Sequence, residues 1–291
     1  MTIFQLMSLA ISASIILTVF ALGLDAHPND LIWLFRRPSL LVRSILSMNV
    51  LMVIFAVGIT FIFHLAPAVK IAIVALAISP VPPALPKKEH KAGSNGSYGI
   101  GLVVAAALLS IILVPGWLAL LGQYFEFDEH PALGKIIPIV LIKILIPLVA
   151  GTLVGKFAPK FAKQIIKPTK IVAAVLLIAT VLPVLFLFRH AMFAMIGNGV
   201  LIAVVLFALM GIVLGQLLGG PDPDNRSVLA LATSARHPGI AIAIAAINFP
   251  EQKKAVLVVI LFHLIVGAIV AIPYLKWRKK HHAKLAGMEG V

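Results

Sequence analysis

The chain has 291 residues and no cysteine, and it is 61% hydrophobic but only 12% charged, with a mean hydropathy of +1.10. A soluble domain is about 45–50% apolar and about 25% charged, so this chain carries more apolar surface than a water-soluble core can hide; it reads as an integral membrane protein whose surroundings are the lipid bilayer. The net charge of +14, from 24 Lys and Arg against 10 Asp and Glu, then belongs to loops held on one side of the membrane rather than to nucleic-acid binding. Disulfides and thiolate metal sites are excluded, and long unbroken apolar stretches argue against a membrane barrel, whose strands alternate.

Nine segments have the length and apolarity of a membrane-crossing helix: about 3–24, 40–63, 68–86, 98–121, 134–155, 170–188, 193–218, 227–248 and 255–275. The first has no basic residue before Ile3 and is long for a secretory leader, so it reads as a retained helix. An odd count puts the termini on opposite sides. With the C-terminus cytoplasmic, 17 of the 24 basic residues fall on that side, among them Arg36, Arg37, Arg43, Lys87, Lys88, Lys156, Arg226 and Lys279. Glu126, Asp128, Glu129 and Glu251 fall opposite. The orientation is therefore N-terminus outside, C-terminus inside, in an inner or plasma membrane. Polar stretches are about a dozen residues at most, which leaves 1–291 as a single membrane domain with 277–291 as a cytoplasmic tail.

Two spans are interrupted. The third reads Ile78-Ser79-Pro80-Val81-Pro82-Pro83-Ala84-Leu85-Pro86-Lys87-Lys88, with four prolines that no continuous helix accommodates. The eighth reads Ala232-Thr233-Ser234-Ala235-Arg236-His237-Pro238-Gly239. It places a Pro-Gly pair and two ionisable residues inside an apolar segment. Broken helices in corresponding places of two halves mark a transporter binding site, and spans 1–4 and 6–9 read as inverted repeats around span five. Alternatively the third span ends at Pro82 and Lys87 begins a solvated loop. A mid-span charge costs about 2.5–3.5 kcal/mol on insertion scales, which makes Arg236 a functional candidate, with His237 and Pro238 beside it. His263 reads as a hydrogen-bonded packing residue. Asn49 is either functional or an interhelical hydrogen bond, and Lys143 is either an internal charge or snorkels to an interface.

None of the ten acids lies deep in a span. Sodium wants several oxygens, usually a carboxylate among them, and here the candidate site carries cations. Two like charges about 4 Å apart repel by about 4 kcal/mol at an effective dielectric near 20, so sodium fits poorly beside Arg236. An anion fits well, since a guanidinium fork matches carboxylate or phosphate. The proton remains a coupling ion, through His237, His263 or a buried lysine; uniport and exchange are equally open. There is no H-E-x-x-H, no intramembrane acid pair and no metal spacing among the histidines, so no enzyme, cofactor or metal is expected.

The chain resembles the bile acid:sodium symporter family. Val19–Leu24 followed by Leu34-Phe35-Arg36-Arg37-Pro38 is similar to that family's entry into its third helix. Ser227–Phe249 is similar to its broken ninth helix, aligned through Gly239, and Ala77–Gly96 to its broken fourth. The resemblance implies an all-α fold in the family's nine-helix form. A core (about 38–122 and 193–276) would hold two discontinuous helices crossing at their breaks, beside a panel (about 1–25 and 134–190). Substrate would bind between them, with alternating access. It also implies ion-site positions, and these are where this chain departs. The family's sodium-binding Glu falls on Ala232 and its Gln on Arg236, within a segment that includes Thr233 and Ser234. The Ser-Asn pair of the other break falls near Lys87 and Lys88, next to Pro82 and Pro83. The hydroxyl ligands of the following helix fall near Gly101 and Ala105, and another Gln falls on Met48, beside Asn49. The expectation is a secondary transporter or facilitator of a small organic anion, sodium-independent, with Arg236 (and Lys87 or Lys88) in place of the ion. The alternatives are an ordinary sodium-coupled symporter, an auxin-efflux-like exporter, or a non-transporting sensor of the same fold.

Overall fold

The computed structural model describes residues 3–82, 96–122, 138–197 and 199–288. All regular structure among them is helical: α1 (Ile3–Asp25), α2 (Pro28–Ile32), α3 (Pro38–Ile62), α4 (Pro67–Ile78), α5 (Gly96–Gly122), α6 (Pro138–Phe157), α7 (Pro159–Ala194), α8 (Val200–Leu218), α9 (Pro223–Ser234), α10 (Pro238–Asn248) and α11 (Lys253–Met288). Many of the prolines that punctuate the sequence stand at the first position of a helix. There the missing N–H has no partner to lose.

Among the described residues seven helices are long and apolar enough to cross a membrane, where nine segments were expected; α9 and α10 together make one of the seven. The stretch Leu9–Asp25 of α1 and the twelve-residue α4 are apolar but shorter. α4 is short for a local reason. A residue before proline is pushed out of the helical region, and Ser79, before Pro80, is extended (φ −72°, ψ 148°). The sixth segment, expected at 170–188, is a helix of 36 residues beginning at Pro159. Its first turns carry Lys160, Lys163 and Lys167, which an apolar window cannot see although helix continues there. α11 likewise runs on to Met288, through most of the expected tail.

Two close helix approaches organise the packing. α1 lies along α6 and α7, where a Cβ on Gly23 would collide with the Leu148 carbonyl and one on Gly151 with the Phe20 carbonyl. Ser14 Oγ donates to the Ala173 carbonyl at 2.7 Å, tying α1 to α7. α8 lies along α9, and a Cβ on Gly211, Gly215 or Gly219 would meet the backbone of Ser234, Ala230 or Arg226 in turn. In lipid, helix association rests on such close contact rather than on hydrophobic expulsion. Gly215→Val is therefore expected to cost about 1–3 kcal/mol, as overpacking does. The check is the melting temperature of the purified protein, with Gly116→Ala, which faces open space, as the control. An unchanged value for Gly215→Val would contradict the close approach. α10 and α11 both pack on α4, which brings the two interrupted segments together.

Candidate functional site

α4 ends at Ile78 and α9 ends at Ser234, and their unwound continuations meet. The backbone N–H of His237 donates to the Pro80 carbonyl at 2.9 Å. Ser79 and Ala235, which close α4 and α9, are both extended. After Ala235 the chain restarts as α10 at Pro238, capped by His237, whose Nδ1 accepts the Ile240 N–H at 3.3 Å. With Nδ1 accepting, the neutral ring carries its proton on Nε2.

Arg236 lies in this junction and is 2% exposed. Its Nη2 donates to the Met48 carbonyl at 2.6 Å and its Nη1 to the Ser79 carbonyl at 3.4 Å. Both acceptors are free for structural reasons. Residues Leu46–Leu51 of α3 form a π-helical turn, and the Met52 N–H bonds to the Ser47 carbonyl instead of its usual partner four residues back, Met48. Ser79 closes the C-terminal end of α4, where carbonyls lack intrahelical donors and the helix dipole is negative. Two charge-assisted bonds at about 1.5–3 kcal/mol each balance the about 2.5–3.5 kcal/mol that a mid-membrane arginine costs. Among the described residues no carboxylate pairs with it; the ion pairs there are Lys170–Asp25 and Arg278–Asp224. Arg236 thus gives both carbonyls a charged donor. Among the described residues neither its Nε nor the Nε2 of His237, both buried, has a hydrogen-bond partner.

The neighbouring candidates divide. Thr233 comes to the junction, its Oγ1 2.8 Å from Ser47 Oγ of the π-turn. Ala232, Ser234 and Asn49 are buried around it, and the Asn49 carbonyl accepts Trp117 Nε1 at 2.7 Å. Pro238 begins α10 and Pro82 follows the α4 break. Gly101 of α5 packs on α2 and the turn after it, where a Cβ would stand 3.4 Å from the Asp30 carbonyl and 3.2 Å from Leu34 Cβ, and Ala105 is buried farther along α5. His263 stands edge-on to Phe207 at 5.3 Å between ring centroids. Pro83, Lys87 and Lys88 lie outside the described residues. Among the described residues no three His, Asp or Glu side chains gather as a metal site.

Two sets of contacts are not announced by the sequence. The acceptors for Arg236 are main-chain carbonyls, which no side-chain pattern announces. Lys143 sits in a second π-helical turn, Leu141–Leu145 of α6, and donates to Ser12 Oγ of α1 at 3.0 Å. α1 also reaches the junction, since a Cβ on Gly239 would stand 3.3 Å from Ile15 Cδ1.

The model of the sodium bile acid symporter family matches residues 13–196. A protein of Bacillus subtilis (strain 168), described as the uncharacterized sodium-dependent transporter YocS, is 24% identical over 278 residues, covering 92% of this chain and 83% of the relative. Arg236 and His237 lie beyond the stretch that the family model matches.

Proposed function

The chain belongs to the sodium bile acid symporter family, and from that premise we propose that it moves a small organic anion across the membrane by alternating access without sodium, Arg236 supplying the charge of the ion. The observation that carries this reading is the Arg236 guanidinium seated on the Met48 and Ser79 carbonyls. Those oxygens are where a hard cation would otherwise gain its ligands, and a sodium ion placed about 4 Å from the guanidinium would face about 4 kcal/mol of repulsion. A tethered cation does not cross the membrane. The sodium gradient then does no work, and transport is facilitated, exchange-driven or proton-driven.

In this reading α1, α6 and α7 form the panel and the remaining long helices the core, nine crossings in all, with the N-terminus outside and the C-terminus cytoplasmic. The anion sits in the crevice between them, its carboxylate taking the free donors of Arg236 and His237 from the core and Lys143 from the panel. A cysteine-free chain makes the orientation testable. Single cysteines at Lys279 and Lys253, in intact cells, are expected to react with a membrane-impermeant maleimide only at Lys253; the reverse pattern would overturn the orientation.

The transport test uses protein reconstituted in liposomes with labelled monocarboxylates ranging from pyruvate to cholate. The expected result is uptake at the same rate in sodium and choline chloride, stopping at equilibrium when no gradient of protons or of internal anion is imposed. Accumulation driven by a sodium gradient would overturn the proposal. That outcome is the second reading, sodium-coupled symport, and it rests on the description of the Bacillus subtilis relative.

A further inference from the structure

A second cationic feature stands apart from the junction. Between the start of α3 and the turn joining α8 to α9 lies an open cleft of about 360 Å³. One wall carries Arg37, Ser39 and Arg43; the other is the backbone of Gly219 and Gly220, with Asn225 beside it. The glycine wall has no side chains to fill the space. Gly220 adopts φ +84°, which favours glycine, and a Cβ there would stand 3.6 Å from Arg43 Nη1.

Arg37 is held by a ring, and neither arginine is neutralised. The Arg37 guanidinium lies 3.6 Å from the centre of the Trp33 ring, and neither Arg37 nor Arg43 is in an ion pair among the described residues. Nearby basic groups are already committed. Arg226 Nε donates to the Gly220 carbonyl at 2.6 Å, and Arg278 to the Pro223 carbonyl at 2.9 Å, with Asp224 at 3.5 Å. Asp222 turns back to cap the Asp224 N–H at 2.8 Å, and Asp30 of α2 accepts the His27 N–H at 2.8 Å.

The cleft also lies at a definable level. The contact of Arg278 with Pro223 brings the basic end of α11 to the same face of the molecule. There Trp277 is 49% exposed, and with Trp33 it marks the depth at which amphipathic rings meet lipid headgroups. Basic pockets between membrane helices at that depth attract anionic headgroups.

We propose that this cleft binds the phosphate of an anionic phospholipid headgroup, with Arg37 and Arg43 gripping its oxygens and Ser39 and Asn225 donating from the sides. The site is independent of the transported anion.

The test uses the full chain in neutral detergent, with phosphatidylglycerol, phosphatidylcholine or inorganic phosphate added. Melting temperature and retained lipid by native mass spectrometry are the readouts. Phosphatidylglycerol is expected to raise the melting temperature by several degrees and to stay bound at one molecule per chain, while phosphatidylcholine does neither. R37Q/R43Q loses both effects. R43Q alone, which leaves Arg37 on Trp33, weakens phosphatidylglycerol at least fivefold and serves if the double variant does not fold. K160Q/K163Q removes the same charge from the start of α7 and keeps both effects. Equal stabilisation by phosphatidylcholine would overturn the proposal. So would equal loss in K160Q/K163Q, which means diffuse attraction, or full reproduction by millimolar inorganic phosphate, which means a soluble ligand.

Discussion

Arg236→Met is expected to weaken binding of the transported anion by about a hundredfold, roughly 2.7 kcal/mol, while costing the fold no more than about 3 kcal/mol. The two effects separate because they draw on different terms. Stability loses the two bonds to the Met48 and Ser79 carbonyls, and unsatisfied acceptors cost about 1–3 kcal/mol each. It also regains the about 2.5–3.5 kcal/mol that burying a guanidinium at membrane depth consumes. Binding gains nothing back; it loses the free Nε donor and the positive field together. Arg236→Lys keeps the charge but not the fork, so it is expected to fall between. Calorimetric affinity for whichever anion stabilises the wild type, beside the melting temperature of each variant, makes the comparison. Arg236→Met binding the anion as tightly as wild type would remove Arg236 from the site.

Lys143→Met is expected to weaken anion binding about tenfold and to leave the melting temperature unchanged or higher. The lysine is half-buried in the π-turn of α6, and among the described residues its hydrogen bond is to Ser12. Removing it takes away a desolvated charge for the loss of a single bond, worth about 1.5–3 kcal/mol when charged. If the residue merely ties α6 to α1, the outcome reverses: Lys143→Met lowers the melting temperature and leaves affinity alone. Lys143→Arg, which keeps a cation, is expected to retain most of the affinity. A merely mechanical role predicts no such rescue.

The membrane class, the helical fold and the two interruptions were legible because each is a local property. An apolar run of about 20 residues, a proline cluster and an arginine among alanines all stand out one segment at a time. What the arginine touches was not legible. Its partners are main-chain oxygens on two other helices, and one of them depends on the π-turn at Leu46–Leu51, a stretch with no proline or glycine to betray it. Helix ends were misplaced wherever helix continues past the apolar part, as at Pro159 and beyond 275. Gly211, Gly215 and Gly219 do carry a readable sign. Their four-residue spacing lets α8 lie on α9, but counting apolar residues alone passes over it. Ala232, Met48, Gly101 and Ala105 were singled out through a family's ion ligands. In the structure Met48 contributes its carbonyl rather than its side chain, and Gly101 packs on α2. Lys87 and Lys88 fall outside the described residues, so Arg236 alone carries the argument for a built-in charge.

That claim is tested most directly without any substrate. The ligand-free protein is melted in sodium chloride and in choline chloride at equal ionic strength, over a range from micromolar to several hundred millimolar. A site that binds only the folded state stabilises it by about 2.7 kcal/mol at a hundred times its dissociation constant, a shift of several degrees that cannot be missed. With Arg236 already on the carbonyls, the two curves are expected to coincide throughout. A saturable rise with sodium that choline does not reproduce would mean that the junction still holds an ion, and that Arg236 does not replace it.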